Sequence, residues 1–162
     1  MLKVTRFLYT KAIEHGFCDT NPASGIKQFN FDNKVERYLQ EEELARLMEV
    51  MSNDKNQMVC NVIRMLLATG MRLGECLASE WGDVDIKNNT LTIKAAYAKS
   101  KKRRVIPLNS MALDVLDQLG TRGKHTHLFV SSKTGKPLTT IRKVFCRMMQ
   151  EANIEGCRIH DL

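Results

Sequence analysis

Ala68-Thr69-Gly70-Met71-Arg72-Leu73-Gly74-Glu75 lies between two apolar periodic stretches and joins two expected helices. Upstream, Val59, Val62, Ile63, Leu66 and Leu67 recur at helical spacing, so a helix runs to Thr69 and Gly70 offers the left-handed residue on which helices commonly end. Downstream, residues 73–81 carry the pattern of a further short helix. Arg72 therefore stands at a helix start, where unsatisfied backbone N–H groups favour an anion. Its guanidinium adds paired charge-assisted hydrogen bonds of the kind that grip a phosphodiester. Glu75 is one turn on and placed to orient it. An Arg-x-x-Glu spacing also describes an ordinary surface helix pair, so the octapeptide alone leaves both readings open.

Working outward, Leu44, Leu47, Met48 and Met51 form one stripe, expected to pack inward with the 59–67 stripe. Beyond Trp81, an Asn88-Asn89 turn leads into residues 90–95, which alternate as a strand does, and a second strand is expected over 103–108. Residues 98–102 form a polar tip between them. Ser110 is placed to cap a helix carrying Ala112, Val115, Leu116 and Leu119. Residues 127–130 are a short apolar run, and Gly135-Lys136-Pro137 turns the chain. Ile141, Val144, Phe145, Met148, Met149 and Ala152 then follow helical spacing closely. The expected class is α+β, mainly helical, with a small antiparallel β-hairpin or sheet.

At the front, residues 2–15 place Val4, Phe7 and Leu8 on one helical face, with Gly16 as the stop. Turn formers and an aperiodic polar run fill residues 16–37, which read as a linker with a domain boundary near Arg37. The 162 residues hold one ordinary domain core plus an appendage, and 25 Lys and Arg against 18 Asp and Glu favour an anionic partner. Five scattered cysteines without a Cys-x-x-Cys signal neither a disulfide framework nor zinc, and read as mostly buried thiols. The charged start fits neither a signal peptide nor a membrane span, so a cytoplasmic protein with no membrane partner is expected.

Two further segments carry chemistry. Lys99, Lys101, Lys102, Arg103 and Arg104 crowd five cations into six positions, which suits a polyanion and equally describes a solvated turn. His160 lies in Cys157-Arg158-Ile159-His160-Asp161-Leu162 at a helix start, where it can exchange a proton near neutral pH or be a plain exposed side chain. His15, His125 and His127 show no ligand spacing and are left structural.

In this order and separation the segments resemble the tyrosine recombinases of the phage-integrase type. Residues 68–75 look like that family's first catalytic-arginine motif, and residues 98–108 like its strand-Lys-strand element, ending here in Val105-Ile106-Pro107-Leu108. Leu128-Phe129 with residues 135–138 resembles the next segment, and His160-Asp161-Leu162 the opening of its His-x-Leu-Arg-His box. The resemblance implies a catalytic domain over residues 38–162, a linker over 29–37, and the last helix and exit of a core-binding domain over 1–28. It implies catalytic roles for Arg72 as phosphate clamp, Lys99 as proton donor to the leaving 5′-hydroxyl and His160 in proton transfer. Glu75 is supporting, and Lys101, Lys102, Arg103 and Arg104 bind DNA.

The implied activity is site-specific recombination of double-stranded DNA through a phosphotyrosyl intermediate, with neither metal nor other cofactor. The sequence stops at Leu162, before the family's second arginine and its nucleophilic tyrosine, and Tyr9, Tyr38 and Tyr97 fall in the wrong elements. The expectation is that these residues alone do not cleave DNA. The alternative is a non-catalytic DNA-binding remnant of an integrase. Absent C-terminal helices are expected to leave apolar surface uncovered around the stripes at 62–67 and 144–149, so self-association or pairing with intact recombinase protomers is expected too.

Overall fold

The structure, a computed structural model, describes residues 2–27, 37–97 and 102–162. The chain divides into two compact units, Met1–Val35 and Glu36–Leu162. In the first, α1 (Leu2–Glu14) ends at Gly16, whose φ of 72° is the left-handed conformation expected of a helix stop. Arg6 closes the following turn: its Nε donates to the Ala23 carbonyl at 2.9 Å, and Asn21 Nδ2 donates back to the Arg6 carbonyl at 3.1 Å. No residue of α1 is buried, and Val4, Phe7 and Leu8 are each at least 60% exposed within the described residues.

The second unit begins with α2 (Glu41–Asn53) and α3 (Gln57–Thr69), and continues through α4 (Leu73–Leu77) and a 3-10 turn over Trp81–Asp83. A sheet of β1 (Val84–Asp85), β2 (Thr90–Ile93) and β3 (Arg104–Pro107) comes next. It is antiparallel in the order β1-β2-β3, with Leu91 opposite both Val84 and Ile106. Alternation puts Leu91, Ile93 and Ile106 into the core and leaves Val105 55% exposed. Helices α5 (Ser110–Gln118) and α6 (Arg142–Glu151) and a 3-10 turn at Ile159–Asp161 complete the unit. The mainly helical α+β class is as the sequence implies.

Helix α3 is the centre of the core. Asn56 caps it by accepting the Val59 N–H, and Gly70, at φ 61°, closes it by donating to the Leu66 carbonyl at 2.8 Å. Val59, Val62, Ile63, Met65 and Leu66 are all buried, and α2, α4 and α5 pack on this helix while α6 packs on α2. Each such fully buried side chain stabilises by about 1.5–3 kcal/mol relative to exposure.

Several local expectations are corrected. Residues 62–67 and 144–149 do not present uncovered stripes: Val62, Ile63, Leu66, Phe145, Met148 and Met149 are buried, leaving Leu67 and Val144 partly exposed at the margin. Leu44 is 36% exposed, because α2 turns Leu47 and Met51 inward instead. Helix 73–81 stops at Leu77, and the next residues are held by other bonds: Ser79 Oγ donates to the Glu75 carbonyl at 2.9 Å and Leu128 N to the Ser79 carbonyl at 3.0 Å. Asn109 rather than Ser110 caps α5, because its side chain reaches the Ala112 N–H at 3.0 Å from an extended backbone. Cys60 and Cys76 are buried, but Cys18 and Cys157 are half-buried and Cys146 is exposed, so the thiols are less covered than expected. The linker over 29–37 lies outside the described residues except for Arg37.

Arg37 ties the entry of the unit to its far end. Its Nη2 donates to Glu43 Oε1 at 2.6 Å and to the Glu155 carbonyl at 3.3 Å, while the Gln40 N–H donates to Glu43 Oε2 at 2.9 Å. The guanidinium first and the backbone donor second hold the Glu43 carboxyl at about 2, below its ordinary 4.5. A carboxyl depressed by folding stabilises fully above its unfolded value and loses that contribution as pH falls toward the folded one. Melting followed by circular dichroism is therefore expected to weaken between pH about 4.5 and 2. Glu43→Gln should lower the melting temperature at neutral pH and flatten that acid limb; an unchanged limb contradicts this role for the Arg37 pair.

Candidate nucleic-acid interface

Gly70 ends α3 in the left-handed conformation, and Arg72, in an extended backbone (φ −73°, ψ 147°), opens α4. This reversal brings Glu75 back onto Arg72: the Arg72 N–H donates to Glu75 Oε2 at 3.0 Å, and Arg72 Nη1 to Oε1 at 3.2 Å. Arg104, the first residue of β3, reaches the same carboxylate from the sheet, with Nη2 2.7 Å from Oε2. Glu75 has a side chain 1% exposed, against 50% for Arg72 and 41% for Arg104. The chemistry is a buried acid holding two guanidinium groups that each keep an exposed face.

One sequence expectation changes here. The start of α4 is not an open anion site, because Glu75 already takes the Arg72 N–H and the helix has only five residues. What remains available to an anion is the guanidinium of Arg72, held from behind by Glu75.

The other expected site residues are less tightly joined. Lys99 and Lys101 lie outside the described residues. Lys102 and Arg103 are exposed at the approach to β3 and form no ion pair within the described residues. His160 is exposed on the 3-10 turn Ile159–Asp161, and no hydrogen bond or ion pair links it to Arg72 or Glu75. The turn itself is pinned by Arg158, whose Nη2 donates to Asp161 Oδ1 at 2.8 Å and holds the Asp161 carboxyl below its usual range. Tyr97 lines a crevice with Glu75, Ser79, Asp83 and Lys94, Tyr38 is 67% exposed, and Tyr9 is in the first unit.

A further basic region escapes a motif-based reading. Between Asp117 and Glu151 the chain has no Asp or Glu and seven Lys and Arg, which equals the whole excess of 25 over 18. Arg147 is held by Asp54 at 2.6 Å and Glu151 at 2.9 Å. The other six, Arg122, Lys124, Lys133, Lys136, Arg142 and Lys143, form no ion pair among the described residues. Lys124 and Lys136 stand on loops that approach each other, as His125 Cε1 lies 3.9 Å from where a β-carbon on Gly135 would sit. Counting acids in a sliding window finds this stretch in the sequence.

By contrast Lys94 is neutralised: it bonds Glu80 and lies 3.1 Å from Asp83, and these contacts raise its pKa. Among the described residues, no three His, Cys, Asp or Glu side chains group as metal ligands, and no helix is long and apolar enough to cross a membrane.

Residues 37–162 match the phage integrase family. The chain is 26% identical over 169 residues to the tyrosine recombinase XerC of Pediococcus pentosaceus, covering 96% of this chain and 55% of that protein. To XerC of Bacillus subtilis it is 27% identical, covering 94% of this chain and 53% of the relative. The chain thus spans about half the length of the curated relatives it matches. Among solved structures, a lambda integrase dimer bound to a COC′ core site superposes with a TM-score of 0.74 at 16% identity, covering 99% of this chain and 61% of that one. At that identity the likeness concerns the fold.

Proposed function

The chain belongs to the phage integrase family, and on that premise we propose that residues 38–162 are the phosphate-gripping part of a recombinase catalytic domain that acts on double-stranded DNA. The observation that carries this reading is the buried Glu75 holding Arg72 with half of the arginine side chain left exposed. A guanidinium so held offers paired N–H donors to the nonbridging oxygens of a phosphodiester, which gain charge as the bond to the leaving oxygen breaks. Lys99 serves as proton donor to the leaving 5′-hydroxyl, and His160 assists proton transfer. Lys101, Lys102, Arg103 and the cations of residues 118–150 attract the DNA backbone.

Under this reading Tyr97 is not the attacking group, since it follows β2, in the segment that resembles the family's strand-Lys-strand element, and lines a crevice with Lys94. Neither Tyr9 nor Tyr38 takes that role, so these 162 residues supply the grip and not the nucleophile. The domain assignment belongs to the same proposal: residues 1–28 are the exit of a core-binding domain, 29–37 a linker and 38–162 catalytic, supported by the division into compact units near residue 35. The relatives named as tyrosine recombinases and the lambda integrase dimer on its core site support recombination as the activity and other protomers as partners. The place of action is the cytoplasm, where bacterial or phage DNA lies.

Fluorescence anisotropy with labelled duplex DNA tests the grip. Affinity at low salt is expected to fall steeply as salt rises, and Arg72→Gln to weaken it by about tenfold, the share of one charged hydrogen-bonding group. Negligible affinity of the unaltered chain at low salt would refute the reading.

A further inference from the structure

We propose that Arg104 is a second phosphate-gripping residue, set by Glu75 beside Arg72 so that two guanidinium groups close on one phosphodiester of duplex DNA. The inference rests on the DNA-binding reading above and sharpens it, since a basic hairpin by itself implies only general attraction to the backbone.

Three features separate Arg104 from its basic neighbours. The first is direction. Side chains two apart on a strand share a face, so Arg104 points to the side of buried Ile106, whereas Val105 points to solvent. Arg104 lies opposite Ile93 in the register, at the start of β3, and from there it reaches over the sheet to α4. The second is convergence. Arg72 and Arg104 come from different elements, yet both end on the two oxygens of one carboxylate, at 3.2 and 2.7 Å.

The third is charge. A single buried carboxylate balances one guanidinium, so the Arg72–Glu75–Arg104 group retains one net positive charge, which an anion would compensate. Each guanidinium has five N–H donors and gives one to Glu75, and neither forms another side-chain hydrogen bond among the described residues. With 50% and 41% of their side chains exposed, both arginines keep donors for a ligand. A phosphodiester has two nonbridging oxygens, one for each fork. Among the described residues Lys102 and Arg103 have no carboxylate to aim them.

The test is a double-variant cycle read as affinity and salt dependence for a labelled duplex of mixed sequence, with Arg72→Gln, Arg104→Gln, both together, and Arg104→Lys. If the two arginines share one phosphate, each single variant binds about tenfold more weakly. The double variant is then less than additive, and its slope of log affinity against log salt falls by about 0.9, the share of one phosphate. Arg104→Lys keeps the charge without the fork, so it retains the slope but not the full affinity.

Additive losses with a slope change near 1.8 place the arginines on separate phosphates and overturn the proposal. So does an Arg104→Gln protein that melts earlier yet binds as the unaltered chain does, which makes the Glu75 contact purely structural. Should Arg104→Gln fail to fold, Arg104→Lys decides: affinity equal to the unaltered chain rejects the two-fork grip. Unaltered protein that does not bind at low salt rejects the DNA reading itself, an outcome distinct from all of these.

Discussion

Replacing Lys124, Lys133, Lys136 and Arg142 together by Gln is expected to lower the salt slope of duplex DNA binding by about 3 to 4, at roughly 0.9 for each phosphate no longer neutralised. Over a fourfold rise in salt, the unaltered chain should then lose about a hundredfold more affinity than the variant. These four cations have no carboxylate partner among the described residues, and they sit in the stretch that holds the chain's whole excess of positive charge. The informative control neutralises Lys94 and Arg147, which lie within ion-pair distance of Glu80, Asp83, Asp54 and Glu151. That control changes net charge while removing cations already satisfied, so its slope should stay close to that of the unaltered chain. A drop in the control about half as large as in the fourfold variant, in proportion to the charges removed, would mean that DNA senses only total charge, and residues 118–150 would lose their standing as an interface.

That basic stretch shows how the sequence is legible in one respect and opaque in another. Motif reading finds Arg72 and Glu75 because they are three residues apart and their hydrogen bond is local. It cannot pair Arg104 with Glu75, 29 residues apart, because that contact exists only once β3 folds against α4. The segment 118–150 matches no chemical motif and so is passed over, although its lack of acids is plain in the composition of the window. Lys99 is assigned by resemblance, from its place in the sequence between two expected strands, and lies outside the described residues.

The same division between local and nonlocal causes holds for the fold. Helix α3 is readable because its stop is local: Gly70 adopts the left-handed conformation that the position requires. Strand β1 has two residues, too few for a period to show, and is held by pairing Val84 with Leu91 across the sheet. The expected stripe of α2 begins one turn too early, at Leu44, because helical spacing alone cannot say where a neighbour ends; α6 and α3 cover Leu47 and Met51 instead. The apolar surface expected around residues 62–67 is confined to the partly exposed Leu67, as α3 is wrapped by α2, α4 and α5.

Phe129→Ala should have the largest effect on stability, about 3–5 kcal/mol, which is a substantial part of the roughly 5–15 kcal/mol that holds an ordinary domain together. Phe129 is 1% exposed and its backbone carbonyl accepts the Leu138 N–H at 3.0 Å, so the segment around it is fixed and a cavity there has little freedom to collapse. For a unit of this size the melting temperature should fall on the order of 10–20 °C. The effect should also reach the phosphate grip. Leu128, next in line, donates its N–H to the Ser79 carbonyl, and Ser79 Oγ closes back onto the carbonyl of Glu75. Loosening Phe129 therefore slackens the support of α4, and with it the Glu75 that aims Arg72. Binding measured well below the lowered melting temperature separates the two effects: a loss of DNA affinity with an unchanged salt slope is expected, because Arg72 is still present but less well held. Unaltered affinity in a folded Phe129→Ala protein would show that α4 keeps Glu75 in place without help from residues 128–129.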